Sequence, residues 1–192
     1  MQSKRIFIAI DISDSARAVC AAHVDRLRQN FPQVRVGWER PEKLHLTLKF
    51  LGNINADILD GLRTSMSEIA SRHHRFKLQL SGSGVFPSKS RPRILWIGVD
   101  DRSGAVAPVH SEIEDVCHRL GFEREKRTFR PHLTIARIKE PHASAALAER
   151  HLKTKIEPVE FEVAEVVIYE SKLQPSGSVY SSVSTAKLQN PT

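Results

Sequence analysis

The stretch His45-Leu46-Thr47-Leu48-Lys49-Phe50-Leu51-Gly52 decides the fold of this 192-residue chain, because a second stretch repeats its pattern. The repeat is Arg130-Pro131-His132-Leu133-Thr134-Ile135-Ala136-Arg137, and its histidine lies 87 residues after the first. Apolar and polar residues alternate at the start of each stretch, which is typical of a half-buried β-strand. Alternate side chains on a strand share a face, so each strand presents a histidine and a threonine together and buries its leucines on the other side.

The two stretches each end a strand–helix–strand unit. In the first unit, a strand over residues 5–11 and an amphipathic helix over about residues 14–29 precede the strand 43–51. In the second, a strand over 93–100 and a helix over about 106–120, ended by Gly121, precede the strand 130–137. The recurrence predicts two duplicated halves, roughly residues 4–80 and 92–170, related by a pseudo-two-fold axis.

The remaining segments complete the two halves. We predict helices over 56–73 and 143–152, strands over 76–80 and 161–169, and a closing hairpin over 171–182 that turns at residues 174–177. Together these elements predict an α+β fold in a single two-lobed domain over residues 1–192. Two antiparallel or mixed sheets would face a central cleft, with the helices outside.

Composition narrows the class of protein. Hydrophobic residues make up 40% of the chain and charged residues 27%, as in ordinary globular proteins, and no stretch approaches the ~20 apolar residues that span a bilayer. A net charge of +7 favours an anionic partner such as RNA, although a basic soluble surface explains it equally well. Cys20 and Cys117 fall among apolar residues of predicted helices, so we expect buried free thiols. We expect a cytoplasmic monomer that does not contact membranes.

Two histidines and two threonines facing one cleft suit the cleavage of a phosphodiester. The attacking oxygen must lose a proton and the leaving oxygen must gain one, and an imidazole with a pKa of about 6.5 can do either near neutrality. Threonine hydroxyls can donate hydrogen bonds to the non-bridging oxygens, where negative charge is held in the transition state. This chemistry needs no metal ion.

Two other interpretations of the histidines compete with catalysis. A single histidine on a strand is more often structural, but two copies with matching flanks favour a shared chemical role. A zinc site generally takes three or four protein ligands, and neither strand adds an Asp, Glu or Cys on the histidine's face. Acid–base catalysis is therefore the favoured interpretation.

Both stretches resemble the paired motifs of the two-histidine phosphoesterase superfamily. More closely, they resemble its RNA 2′,3′-cyclic phosphodiesterase branch, also called the 2′-5′ RNA ligase family. The likeness extends to Phe7-Ile8-Ala9-Ile10, to residues 86–96 with Arg91-Pro92-Arg93, and to the late pattern Ser171-x-Leu173…Gly177…Tyr180.

The resemblance implies hydrolysis of a terminal RNA 2′,3′-cyclic phosphate to a 2′-phosphate, in a basic cleft, without a cofactor or metal. By the family's motif, His45 would be the general acid and His132 the general base. Residue symmetry alone leaves these roles interchangeable. The resemblance also implies that RNA ends can be joined through a 2′-5′ linkage, by the same chemistry with an RNA 5′-hydroxyl replacing water.

The supporting residues follow from the resemblance and from strand parity. Arg137 matches the family's phosphate-binding arginine, yet it lies on the opposite face of an ideal strand from His132, so reaching the cleft requires a bulge, a twist or the end of the strand. Arg130 and Lys49 have the parity to face the cleft, where each could bind phosphate or carry a solvated charge. Phe50 and Trp38 could stack on a base, although core packing is favoured for Phe50.

Two functional alternatives remain open at this stage. One is a module that binds nucleotides or RNA ends without turnover. Intact copies of both histidines and both threonines count against a protein that has lost its catalytic activity. The other is action on a different phosphoester, such as a 2′-5′ oligonucleotide or a small cyclic nucleotide.

Overall fold

The computed structural model describes residues 3–140, 144–175 and 177–191. Within these ranges the chain forms nine strands and four α-helices. In chain order they are β1 (Lys4–Asp11), α1 (Asp14–Asn30), β2 (Val36–Trp38), β3 (His45–Ile54), α2 (Ala56–Ala70), β4 (Phe76–Phe86), β5 (Ile94–Asp100), α3 (Val106–Arg119), β6 (His132–Ile138), α4 (Ala145–Lys153), β7 (Glu160–Val163), β8 (Glu165–Gln174) and β9 (Gly177–Lys187). A 3₁₀ turn over Pro41–Lys43 leads into β3.

Local sequence explains where the helices begin. Ser13 caps α1 by accepting a hydrogen bond from the Ala16 amide (3.2 Å), and Asn55 caps α2 in the same way. Short polar side chains at this position satisfy an amide that has no partner within the helix. The predicted start of the fourth helix, Ala143, lies outside the described residues, as does Ser176 in the predicted hairpin turn.

All nine strands belong to one antiparallel sheet. Its order is β7-β4-β5-β6-β3-β1-β8-β9, and β2 pairs with the free edge of β6 beyond β3. Leu46 on β3 and Leu133 on β6 form the one pair that joins the two four-stranded halves, so the predicted two sheets meet at this point. The α+β class and the placement of two antiparallel strand groups are confirmed.

The order of strands shows how the two halves interlock. β4 follows the first strand–helix–strand unit along the chain but pairs with β5 of the second, and β8 follows the second unit but pairs with β1 of the first. Each half of the sheet is therefore completed by a strand from the other half of the chain.

The core lies between the sheet and the helices. Ile6, Ile8 and Ile10 of β1 are buried with Leu46 and Leu133 on the face opposite the two motif histidines. The thiols of Cys20 and Cys117 are free and buried, as predicted, and burial raises the pKa of Cys20 to about 12 and that of Cys117 to about 11. No helix in the described part of the chain is long and apolar enough to span a membrane.

Two strands differ from the sequence prediction. β4 continues past Leu80 to Phe86 because its register with β5 shifts between Leu80 and Ser83, where Gly82 takes a left-handed conformation (φ 65°). A bulge of this kind lets a strand bend and resume pairing. The predicted strand 161–169 is interrupted at Ala164, so that β7 pairs with β4 while β8 pairs with β1.

Candidate active site

Matching bulges interrupt the two motif strands. The β1–β3 register skips Leu48, and the β5–β6 register skips Ile135, which lies 87 residues later. A bulge places two consecutive side chains on nearly the same side of the strand and reverses the alternation beyond it. Both strands therefore carry His, Thr and the residue five positions after the histidine on one face.

This reversal decides the faces of three predicted site residues. Arg137 lies on the cleft face with its side chain 57% exposed, and Phe50 holds the equivalent position on β3 and is 62% exposed. The core packing favoured for Phe50 was therefore wrong.

The prediction that Lys49 faces the cleft was also wrong, since its side chain points to the helix side and is 9% exposed. The Lys49 ammonium lies 2.8 Å from the Glu114 carboxylate of α3 and also donates to the Glu123 carbonyl.

The pairing of Leu46 with Leu133 fixes how the two motifs meet. In the antiparallel register centred on this pair, His45 lies across from Thr134 and Thr47 lies across from His132. The four side chains point away from the buried leucines, so they lie on the cleft face. The register of the two motifs is symmetric about this pair of leucines.

The backbone sets the same tautomer for both histidines. Nδ1 of His45 lies 2.7 Å from the Lys43 carbonyl, and Nδ1 of His132 lies 2.6 Å from the Arg130 carbonyl. A carbonyl oxygen can only accept, so we assign the proton to Nδ1 in each ring. Each Nε2 then carries a lone pair in the neutral ring, or a second, transferable proton in the charged ring.

Aromatic rings surround His45. Its ring stacks on Phe7 at 4.8 Å between centroids and meets the edge of Tyr180 at 5.5 Å. Burial lowers the pKa of His45, while the Lys43 carbonyl and the Asp11 carboxylate oppose that shift. Burial thus favours the neutral ring, whereas the Lys43 carbonyl and the Asp11 carboxylate favour the charged ring.

A different set of rings surrounds His132. Phe86 contacts it edge-on at 5.2 Å, and Trp96 lies 5.8 Å away. The Trp96 ring fits only because residue 84 is glycine, since a Cβ there would lie 2.0 Å from the indole. Phe86 and Trp96 come from β4 and β5, so the strand exchange builds this wall.

The other predicted site residues lie at the edge of the cleft or outside it. Nε of Arg137 lies 3.4 Å from the Glu39 carboxylate. Arg130 is exposed just before β6. Its role as a phosphate ligand remains a prediction. Trp38 pairs with Ala136 and therefore lies on the helix side, under the Arg28 guanidinium at 5.9 Å. Base stacking by Trp38 was a wrong prediction, because the Ile135 bulge turns its partner Ala136 away from the cleft.

Sequence reasoning missed two polar residues beside His45. The Tyr169 hydroxyl on β8 donates to both carboxylate oxygens of Asp11, at 2.9 and 2.8 Å. Asp11 ends the first strand, and its place opposite His45 depends on the β1–β3 register. One signal in the sequence could have pointed to Asp11. It is an acidic residue at the end of β1, and the equivalent position in the second unit is Gly98.

A curved antiparallel sheet whose two central strands present His-x-Thr to one cleft is the architecture of a two-histidine phosphoesterase. The chain belongs to the 2′-5′ RNA ligase superfamily, whose sequence profile matches residues 16–174.

Relatives in archaea and bacteria share most of its length. The chain is 31% identical to the RNA 2′,3′-cyclic phosphodiesterase of Archaeoglobus fulgidus over 176 residues, which is 92% of this chain and 96% of that protein. It is 30% identical to the protein of the same name from Aquifex aeolicus, over 95% of this chain and 96% of the relative.

Solved structures share the fold. The TT0787 protein of Thermus thermophilus superposes with a TM-score of 0.77 at 25% identity, covering 98% of this chain and all of that one. Escherichia coli LigT complexed with 3′-AMP gives a TM-score of 0.75 at 23% identity, covering 97% and 99% of the two chains.

Proposed function

We propose that this protein is an RNA 2′,3′-cyclic phosphodiesterase that hydrolyses a terminal 2′,3′-cyclic phosphate to a 2′-phosphomonoester without a metal ion. Relatives at about 30% identity over most of the chain carry that name. The observation that carries the proposal is the common tautomer of His45 and His132, which directs one Nε2 from each half of the sheet to proton transfer.

In the proposed reaction, Nε2 of His132 takes a proton from a water molecule as its oxygen attacks phosphorus. The bond between phosphorus and the 3′-oxygen breaks, and the proton on Nε2 of His45 passes to that leaving oxygen. The phosphate remains on the 2′-oxygen. One proton enters His132 and one leaves His45, so exchange with solvent resets the pair.

The threonines and Arg137 would stabilise the phosphoryl oxygens. Thr47 and Thr134 lie on the same face as the histidines, where each hydroxyl can donate to a non-bridging oxygen. Arg137 is exposed at the edge of the same face and can pair with the phosphate charge. Phe50, exposed at the equivalent edge of β3, offers a surface for a base.

The pKa of His45 bears on its role as the acid. A general acid must start protonated, whereas burial lowers the pKa of His45. A bound phosphodiester brings a negative charge to the ring and favours its charged form. We therefore expect substrate binding and protonation of His45 to be coupled.

The same chemistry could join RNA ends. If an RNA 5′-hydroxyl replaces water, His132 takes its proton, its oxygen attacks phosphorus and His45 protonates the leaving 3′-oxygen, which gives a 2′-5′ linkage; the two histidines exchange roles when that linkage is cleaved back to the cyclic phosphate. We also propose that the protein acts in the cytoplasm as a monomer. Free buried cysteines are typical of reducing compartments, and Phe50, Leu173 and Val179 are the large apolar side chains that the described part of the chain exposes.

Turnover of a short RNA with a 2′,3′-cyclic end, in the presence of EDTA, tests the proposal. We expect hydrolysis by the wild type, and its loss in both His45→Ala and His132→Ala. His118→Ala, which alters an exposed histidine on α3, is the matched control and should retain activity. Turnover that survives both active-site substitutions, or that requires a metal, would contradict the mechanism. Binding without turnover would favour a nucleotide-binding module.

A further inference from the structure

The two histidines share their tautomer and a threonine on the same strand face, but they require opposite protonation states. Each donates Nδ1–H to the carbonyl two residues earlier, and each shares its strand face with a threonine. Acid–base catalysis needs one ring to start charged and the other neutral. The tautomer and the threonines do not provide that difference, so another group must distinguish the two rings.

The residues directly across the sheet from the two histidines differ in charge. Asp11 lies directly across from His45 in the β1–β3 register, while Gly98 lies across from His132 in the β5–β6 register. Side chains of directly opposed residues have Cβ atoms roughly 4.5–5.5 Å apart. His45 therefore has a carboxylate directly across from it on the neighbouring strand. The residue in the same place across from His132 is a glycine, which has no side chain.

The glycine cannot be replaced without moving the backbone. A Cβ on Gly98 would lie 2.3 Å from the carbonyl oxygen of Ser81, in the bulge of β4. This space is closed by main chain rather than by a movable side chain. A carboxylate is thus excluded from the equivalent position beside His132.

Asp11 is held in place beside the ring. The Tyr169 hydroxyl donates to both of its carboxylate oxygens, and the Tyr169 ring stacks on Phe7 at 5.3 Å. Phe7 in turn stacks on His45 at 4.8 Å. The carboxylate, the tyrosine and the histidine form one packed unit that crosses β8, β1 and β3.

Other charged groups also act on His45. Arg17 of α1 and Arg137 of β6 disfavour the charged ring, whereas Asp11 of β1 and the Lys43 carbonyl favour it. Tyr180 of β9 meets the ring edge-on. Of these neighbours, Asp11 is the one that carries a negative charge and opposes the two arginines.

We propose that Asp11 is a positioning residue that favours the protonated form of His45 against the effect of burial, and so distinguishes His45 as the general acid from His132 as the general base. The assignment rests on the proposed hydrolysis and deepens it. Because Gly98 excludes a carboxylate from the other half, the direction of proton flow is set by the packing of the sheet.

The pH profile of Asp11→Asn tests this inference. The substitution keeps the shape of the side chain but removes its charge, so His45 should lose its proton about one pH unit lower. On the acidic side of the optimum, kcat/KM depends on deprotonation of His132 and should stay unchanged. On the alkaline side kcat/KM should fall by about tenfold, which moves the optimum to lower pH.

Two further variants separate electrostatics from structure. Asp11→Glu restores the charge and should recover most of the alkaline activity. Asp100→Asn removes the carboxylate that ends β5, the equivalent strand, and should leave the profile unchanged because Asp100 faces Arg102 at 3.5 Å. An equal fall of kcat/KM across the whole pH range in Asp11→Asn, or no recovery in Asp11→Glu, would overturn the inference.

Titration of the two histidine rings by NMR reads the same coupling without turnover. In Asp11→Asn the midpoint of His45 should move down by about one pH unit while that of His132 stays in place. Unchanged His45, or an equal shift of both rings, would overturn the role of Asp11. Absence of hydrolysis by the wild type would instead refute the proposed reaction, whatever the titration shows.

Discussion

A buried pair of histidines behind the active site makes stability depend on pH. Nε2 of His23 on α1 lies 2.9 Å from Nδ1 of His151 on α4, and Nε2 of His151 lies 3.1 Å from the carbonyls of both Gly84 and Trp96. The carbonyls only accept, so His151 carries a proton on Nε2. Burial lowers the pKa of both His23 and His151, so both rings are neutral near pH 7 in the folded protein and Nε2–H of His23 donates to Nδ1 of His151.

The size of the effect follows from the pKa of His23. Burial, with a contribution from His151, lowers the pKa of His23 from 6.5 to about 4. The unfolded chain therefore binds a proton that the folded chain rejects. The stability from this group is complete above about pH 6.5 and is lost as pH falls towards 4. At about 1.4 kcal/mol per pH unit, the loss between about pH 7.5 and about pH 5 is about 2 kcal/mol.

Urea denaturation at these two pH values measures the loss. In His23→Gln the amide nitrogen can still donate to His151 but does not titrate, so the fall in unfolding free energy between the two pH values should shrink by about 2 kcal/mol. His118→Gln, at an exposed site, is the control and should keep the wild-type difference. The same pH-dependent loss in His23→Gln as in the wild type would refute the assignment of a buried neutral pair.

Three further expectations concern the core, the cleft wall and the substrate. Lys49→Met should lower the unfolding free energy by about 3–5 kcal/mol, measured in urea, because it leaves the Glu114 carboxylate buried without its cation; a loss below about 1 kcal/mol would contradict this. Gly84→Ala should displace the Trp96 ring, lowering kcat and changing tryptophan fluorescence; unchanged kcat and fluorescence would show that the close contact can relax without cost. Thr134→Val should lower kcat by about 10²-fold with little change in KM, if its hydroxyl stabilises the transition state.

The sequence predicts which strand face each motif side chain lies on, but only as far as the threonine. Two polar residues with a leucine between them fix one face of a strand, and this placed His45 and Thr47 together. Beyond Thr47 the pattern is ambiguous, since Leu48 fits either a regular strand or a bulge. The bulge reverses the alternation, so Lys49 was assigned to the wrong face and Phe50 was expected in the core.

Contacts made by strand exchange had no local signal. Asp11 and Tyr169 are separated by 158 residues, and their hydrogen bond exists because β8 returns from the second unit to pair with β1. The pattern of alternating residues predicts that β8 is a strand but does not name its partner. The rings around His45 and His132 are completed by strands from the other half of the chain, so these two walls could not be predicted without the fold.

The product formed from an RNA with a 2′,3′-cyclic phosphate end tests the central claim most directly. Followed by ³¹P NMR in the presence of EDTA, the cyclic phosphate signal should be replaced by that of a 2′-phosphomonoester, because His45 protonates the 3′-oxygen as it leaves. His45→Ala and His132→Ala should each leave the cyclic phosphate intact. A 3′-phosphomonoester product, or a signal that changes only after a divalent metal is added, would contradict the account.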